Sequence, residues 1–240
     1  MTAGGLFGAC LAVRPPGPEV CRICCGAVEE PFRLCWSCAR IEGGLGGELR
    51  PLLPLSLTKR GTGLYAALRQ YKGRPGSVAL RQQARLAELV AAFFERHSAC
   101  VAPDGFDKVA VVPSMQVPAE PHPLIATLKS VPQLAHKVVD VLHAGSASVD
   151  RNVADRAAYH CADSVVDGDR ILLVDDIYTT GAHMQSAAAA LGDNGARSIS
   201  LVAVARHQDP SWPPARRLLE WSAAAQRAWT VETCVRCAPS

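Results

Sequence analysis

The chain has 240 residues, 49% of them hydrophobic and 20% charged, with a formal net charge of +3. That apolar content excludes a disordered chain, which lacks the surface to offset the entropy of ordering. So small a charge does not imply a dedicated nucleic-acid binder. No run of about 18 uncharged apolar residues, the length of a membrane span, occurs in it. Residues 1–13 hold an apolar patch, Leu6-Phe7 and Cys10-Leu11, with no charged stretch ahead of it. A secretory signal needs that stretch, so a cytoplasmic protein is expected.

The ten cysteines are unevenly placed. Cys21, Cys24, Cys25, Cys35 and Cys38 fall within 18 residues, and Cys234 and Cys237 lie near the end. Cys21-Arg22-Ile23-Cys24, ten residues, then Cys35-Trp36-Ser37-Cys38 is a four-thiolate spacing suited to tetrahedral zinc. One structural zinc per chain is the expectation, with Cys25 able to replace a neighbouring ligand. Cys234-Val235-Arg236-Cys237 is read as a disordered tail, with an accessory metal or redox pair as the alternative. Cys10, Cys100 and Cys161 are read as small apolar residues.

The elements then follow in order. Residues 1–50 form the cysteine module and its linker, set off by Gly43-Gly44-Leu45-Gly46-Gly47, Pro51 and Pro54. Residues 55–207 form the main domain and 208–240 a C-terminal helix and tail. Within the main domain, residues 64–71 read as a helix broken at Gly73-Arg74-Pro75-Gly76. Ser77 is positioned to cap a long helix through His97. Residues 108–112 form a short buried strand ended by Pro113, and residues 134–142 read as helical. Residues 145–155 are polar and loop-like, and a strand is expected around 158–162. Strands at 171–174 and 199–205 flank an alanine-rich helix at 182–194. Such alternation indicates an α/β fold with a parallel sheet flanked by helices.

The most informative segment is Ile171-Leu172-Leu173-Val174-Asp175-Asp176-Ile177-Tyr178-Thr179-Thr180-Gly181. A buried strand delivers two acids to its C-terminal end, where open α/β sheets bind ligands. A Thr-Thr-Gly turn then enters a helix, so that backbone N–H groups and hydroxyls form a cradle for a phosphate. Carboxylates do not attract a phosphate. Asp175 and Asp176 therefore suit ribose hydroxyls, or a magnesium ion shared with them.

This segment resembles the PRPP-binding motif of type I phosphoribosyltransferases, except that Ala182-His183 stands where that family has a small residue and then Thr or Ser. Together with the four-cysteine module, the chain resembles the ComF family of competence-associated proteins. Leu68-Arg69-Gln70-Tyr71-Lys72-Gly73 resembles the basic segment ahead of the family's core, and Val111-Val112-Pro113-Ser114 occupies the place of its pyrophosphate loop. After that proline the sequence runs Met115-Gln116-Val117-Pro118-Ala119-Glu120-Pro121-His122-Pro123-Leu124, an arginine-free variant associated with actinobacterial members.

The resemblance implies a type I phosphoribosyltransferase fold with a small zinc-ribbon-like module at its start. It implies PRPP as ligand, magnesium with it, and transfer of phosphoribosyl to an unidentified nitrogen acceptor. In that reading Asp175 and Asp176 are the catalytic pair, and Ile177, Tyr178, Thr179, Thr180 and Gly181 hold the 5′-phosphate. Ser114, Lys72 and Arg151, with Arg74 and Arg156 as further candidates, face the diphosphate. The loop at 145–155 is the expected lid. Transfer is expected to be slow or restricted to one acceptor. The alternative is a non-catalytic PRPP- or nucleotide-binding accessory in DNA uptake or processing, with a DNA-processing protein as partner. The oligomeric state is left open.

Overall fold

A computed structural model describes residues 5–73, 76–114, 122–161, 166–224 and 229–237. In chain order its elements are α1 (Trp36–Gly44), β1 (Leu52–Thr58), α2 (Gly63–Gln70), α3 (Ser77–Val101), β2 (Lys108–Val111) and α4 (Pro123–Lys129). Then come β3 (Leu142–Ala144), β4 (Tyr159–Cys161), β5 (Arg170–Tyr178), α5 (Ala182–Asp193), β6 (Ser198–His207) and α6 (Pro213–Ala223). No helix among the described residues is long and apolar enough to cross a membrane.

Four strands form a parallel sheet in the order β1-β6-β5-β2. Leu173 of β5 pairs with Ala110 on one side and Leu201 on the other. Side chains alternate across the sheet. Leu172 and Val174 therefore pack with α2, α3 and α4, while Ile171 and Leu173 pack with α5 and the cysteine module. The alanines of α5, Ala187 to Ala190, are all buried. β3 and β4 form a separate antiparallel ribbon.

β1 is a strand that the two prolines conceal in the sequence. Pro51 precedes it and Pro54 lies inside it, opposite Ala203. It stands at the sheet edge, the place where a strand tolerates a residue with no N–H. Its open side is covered rather than exposed. Leu57 N–H donates to Leu11 O at 3.0 Å, and Trp229 Nε1–H donates to Leu55 O at 2.7 Å.

Three further expectations are corrected. Residues 134–142 are not a helix but one 3-10 turn, Ala135–Lys137, followed by extended chain. Val138, Val139 and Val141 are β-branched and disfavour a helix, and Val139 N–H instead bonds Val109 O at 2.9 Å. Ser77 does not cap α3: it is the first helical residue, Gly76 holds the cap position, and the helix runs on to Val101. β5 does not stop at Val174 but continues through Tyr178, because β6 runs beside it and pairs Asp175 with Ala203 and Tyr178 with Arg206.

His122 caps α4, its Nδ1 accepting from Leu124 N–H at 3.2 Å. Burial and the charge of Lys72 push its pKa down to about 4, from 6.5. The folded state thus binds this proton less readily than the unfolded one. Its contribution is complete above pH 6.5 and falls as the pH drops from there toward 4, by about 2–3 kcal/mol over the whole span. His122→Asn keeps a capping side chain without a titrating one. Urea unfolding across pH 7 to 4 is expected to show a correspondingly shallower loss in this variant.

Candidate functional site

The C-terminal end of β5 and the turn into α5 form one wall of a cavity of about 300 Å³. Asp175, Asp176, Ile177 and Thr179 line it, joined by Ser114 after β2, Lys72 after α2 and Arg151 in the loop between β3 and β4. Seven of the expected site residues therefore meet at one opening. Thr180 faces an adjoining cleft shared with Thr179 and Arg151. Gly181 has φ +97°, a left-handed conformation, and a Cβ there would run into the ring and hydroxyl of Tyr178. Both constraints require glycine.

The two acids are not alike. Asp175 is partly exposed, and its carboxylate Oδ1 accepts from Asp176 N–H at 2.8 Å. Burial of the group and the neighbouring Asp176 charge push its pKa well above the usual carboxylate range. Asp176 is only 3% exposed. It accepts from Tyr71 O–H at 2.9 Å and from Ile177 N–H at 2.8 Å, and pairs with Lys72 Nζ at 2.7 Å. Burial alone would raise its pKa, but the Lys72 charge and the hydrogen bonds with Lys72, Asp175 and Tyr71 together hold the group below its ordinary value. Asp176, unlike Asp175, is thus part of a buried polar network rather than an exposed acid at the strand end. Lys72 is correspondingly tied to Asp176 rather than standing free at the cavity.

Arg156 is not brought to the cavity. It bridges Glu48 and Asp193, at 2.6 Å each. The Tyr178 side chain also points away, buried beneath the turn with its hydroxyl unpartnered among the described residues. Arg74, Met115, Gln116 and residues 117–121 lie outside the described residues. Cations absent from the loop after β2 come from elsewhere: Arg60, after β1, and Arg69, on α2, both line the cavity. Arg69 sits in the basic segment that the sequence singles out, whereas Arg60 follows the strand that the prolines hide. His207 at the end of β6 also lines the cavity and carried no signal of its own.

His183 stands in the first turn of α5, where Tyr159 O–H is 2.8 Å from its Nδ1. Burial lowers its pKa, so the ring is neutral at pH 7. A Tyr159 hydroxyl that donates to Nδ1 rather than to Pro113 O, 3.4 Å away, would leave Nε2 protonated and able to donate at the turn. The loop above the cavity is anchored on three sides. Thr180 Oγ1 donates to Arg151 O, Ser37 Oγ donates to Asn152 Oδ1 at 3.0 Å, and Asp155 N–H donates to Ser186 Oγ at 2.9 Å.

The Sγ atoms of Cys21, Cys24, Cys35 and Cys38 lie within 4.8 Å of one another, all four residues buried. Cys24 and Cys35 sulfurs are 3.7 Å apart, near the ~3.8 Å edge of a tetrahedron with 2.3 Å zinc–sulfur bonds. The donor set and its geometry fit zinc. Cys25 is excluded from the set: it has φ +54°, and its thiol faces Leu52 O at 4.0 Å. The cluster does not pack apart from the sheet. It shares a core with Leu52, Tyr178, Leu201 and Ala203, so the segment that glycines and prolines set off in the sequence has no core apart from the sheet.

One residue joins the cluster to the cavity wall. Arg206 of β6 is 7% exposed and places one nitrogen 3.5 Å from Cys24 Sγ. Its other terminal nitrogen donates to the carbonyls of Thr179 and His207, at 2.5 Å each, and of Tyr178, at 3.3 Å. The guanidinium lies 5.3 Å from the Tyr178 ring centroid. Burial disfavours its charge, yet the thiolates of Cys24 and Cys35 outweigh that penalty and hold its pKa above the ordinary value. Gly26 makes this approach possible, since a Cβ there would sit 2.6 Å from the guanidinium.

No model of a known protein family matches the chain, and no curated protein matches it. Among solved structures it is similar to the allosteric regulatory enzyme of purine biosynthesis, with 16% identity, a TM-score of 0.33, and coverage of 51% of this chain and 26% of that one. The chain thus spans about a quarter of that enzyme. It is also similar to a phosphoribosyltransferase from Corynebacterium diphtheriae, with 18% identity, a TM-score of 0.31, and coverage of 66% and 88%.

Removing the Arg206 charge leaves the thiolate cluster buried without its counter-ion. Arg206→Met is therefore expected to lower stability by about 3–5 kcal/mol in urea unfolding. It should also release zinc to a chelator about 10–100-fold more readily, while Arg216→Met, at an exposed position of α6, changes neither.

Proposed function

We propose that the chain binds PRPP and transfers its phosphoribosyl group to a nitrogen acceptor. The observation that carries this reading is the convergence of Asp175, Asp176 and the Thr179-Thr180-Gly181 turn with Arg60, Arg69, Lys72 and Arg151 around one cleft. A phosphate, a diol and a diphosphate each find a suitable partner there, and few other ligands present all three.

In this reading the α5 N-terminus, the Thr179 and Thr180 hydroxyls and His183 hold the 5′-phosphate. Asp175 accepts from the ribose hydroxyls, while Asp176, fixed by Tyr71 and Lys72, orients the turn behind it. Arg60, Arg69, Arg151 and Ser114 face the diphosphate. A nitrogen lone pair forms a bond to the anomeric carbon as the carbon–oxygen bond breaks, and that electron pair leaves with pyrophosphate. The transition state resembles an oxocarbenium ion, so the chain contributes positioning and charge at the departing oxygens. Magnesium, an oxygen-seeking ion suited to the partly exposed Asp175 carboxylate and the substrate's own oxygens, would neutralise diphosphate charge when bound. For Thr180 to reach a phosphate it must release Arg151 O, which couples ligand binding to movement of the loop at 145–155. The ComF resemblance adds a cytoplasmic role beside DNA uptake or processing, with a DNA-processing protein as partner.

Asp175→Asn is the discriminating variant, because it leaves the Asp176–Lys72 pair intact. PRPP affinity in the presence of magnesium, measured by calorimetry, is expected to fall at least tenfold with the melting temperature little changed. Unchanged affinity would refute the assignment. Catalysis is checked by pyrophosphate release with ammonia, adenine, hypoxanthine, uracil and orotate. Slow release with one acceptor is expected; binding with no release from any of them would leave a PRPP-binding accessory.

A further inference from the structure

Far from the cavity, four metal-binding side chains meet that the sequence keeps 134 or more residues apart in two pairs. His97 and Cys100 lie three residues apart on the last turn of α3, and so on one face of it. Cys234 and Cys237 form a tight turn in the tail. Their ligand atoms, one imidazole nitrogen and three sulfurs, all lie within 4.8 Å of one another. Cys100 is therefore not an ordinary small apolar residue, and residues 229–237 are a placed segment rather than a disordered tail.

We propose that His97, Cys100, Cys234 and Cys237 bind a second zinc ion, which staples the C-terminal segment to the end of α3. A three-thiolate, one-imidazole set is a common composition of closed structural zinc sites. Cys234 and Cys237 sulfurs are 3.4 Å apart and Cys237 Sγ is 3.6 Å from His97 Nδ1. Both separations approach the edges of a tetrahedron around zinc, which are ~3.6–3.8 Å for bonds of 2.0–2.3 Å.

The surroundings support the same assignment independently. His97 Nε2 lies 2.8 Å from Val231 O. A carbonyl only accepts, so Nε2 carries the proton and Nδ1 presents its lone pair to the sulfurs. This is the second hydrogen bond by which metal-bound histidines are oriented. Cys234 N–H points at Cys237 Sγ at 3.2 Å, an interaction that stabilises a thiolate. Arg236, between the two cysteines, donates to Cys100 O at 2.7 Å and Val101 O at 3.0 Å. It thereby caps the helix that carries the other two ligands. Arg96 and Glu232 add an ion pair of 2.7 Å across the same junction. An adventitious meeting of four side chains has no need of matched second contacts from both segments.

The staple has a mechanical purpose visible in the tail. Trp229 packs on Phe7, ring centroids 5.9 Å apart, and bonds β1. Cys234 is buried in the core that contains α3. Zinc here would fix this segment to the end of α3, and through it the cover over the edge of β1.

The full-length protein, purified without a histidine tag and dialysed against metal-free buffer, is expected to contain two zinc equivalents per chain by plasma mass spectrometry. Cys237→Ser, at an exposed position, and Cys234→Ser/Cys237→Ser should each contain one, with the far-UV spectrum retained. Limited proteolysis should then cut these variants within the last 20 residues at least tenfold faster than the parent. As a check that needs no variant, cobalt-loaded parent protein should show sulfur-to-cobalt charge transfer from two tetrahedral sites, titrating to two equivalents. One zinc in the parent, unchanged in both variants, overturns the proposal. So does a Cys234–Cys237 disulfide in peptide maps of protein purified anaerobically, which would mark the pair as redox-active.

Discussion

A buried cation, Arg206, faces sulfur on one side and backbone carbonyls on the other. Its guanidinium lies 3.5 Å from Cys24 Sγ and donates to the carbonyls of Thr179 and His207. Burying such a charge is unfavourable unless it is paired and hydrogen-bonded, and the four-cysteine cluster is what pairs it. The Thr179-Thr180-Gly181 turn is in this sense built on the four-cysteine cluster. The carbonyls of Tyr178 and Thr179 point to Arg206, while the Gly181 carbonyl begins α5 by accepting from Gln185 N–H. Gly26 and Gly181 are both glycine because of this stack, one clearing the guanidinium and the other clearing Tyr178.

The cavity takes its charge from parts of the chain that are distant in sequence. Arg60 follows β1, Arg69 and Lys72 come from α2 and just after it, and Arg151 comes from the loop beyond β3. A parallel sheet gathers the C-terminal ends of its strands at one edge. Loops that follow different strands can therefore contribute to one site without being neighbours in sequence. In the centre, the Asp176 network of Tyr71 and Lys72 keeps one carboxylate charged and immobile, while Asp175 beside it is left to face the cavity. Two identical residues at adjacent positions acquire different characters because only Asp176 has Lys72 and Tyr71 as partners.

What the sequence makes legible is local. The run from Ile171 to Gly181 declares a strand, a turn and a helix start because each needs particular residue types within a few positions. The spacing of Cys21, Cys24, Cys35 and Cys38 declares a metal site for the same reason. What it conceals is either contradicted locally or assembled from afar. β1 is masked by Pro51 and Pro54, whose local meaning is a break, although an edge strand accepts them. Missing that strand also hides Arg60. The valines at 138, 139 and 141 lie among helix-compatible neighbours, and strand pairing with Val109 decides against the helix. Arg206 reads as an ordinary residue at the end of a strand until Cys24 is seen beside it. His97 and Cys100 look like two side chains of a long amphipathic helix, and only the return of the tail gives them partners.

The stack around Arg206 also governs how such a chain can vary between species. A lineage that loses the four thiolates strands a buried cation, and one that loses the cation crowds negative charge against carbonyl oxygens. Gly26 is free to acquire a side chain only when the guanidinium is gone. Cys21, Cys24, Cys35, Cys38, Gly26 and Arg206 are thus expected to be kept or discarded together, although Arg206 is encoded some 170 positions away. The amino-terminal segment is not a cassette to be exchanged or trimmed, and the Thr179–Gly181 end of the sheet inherits its history.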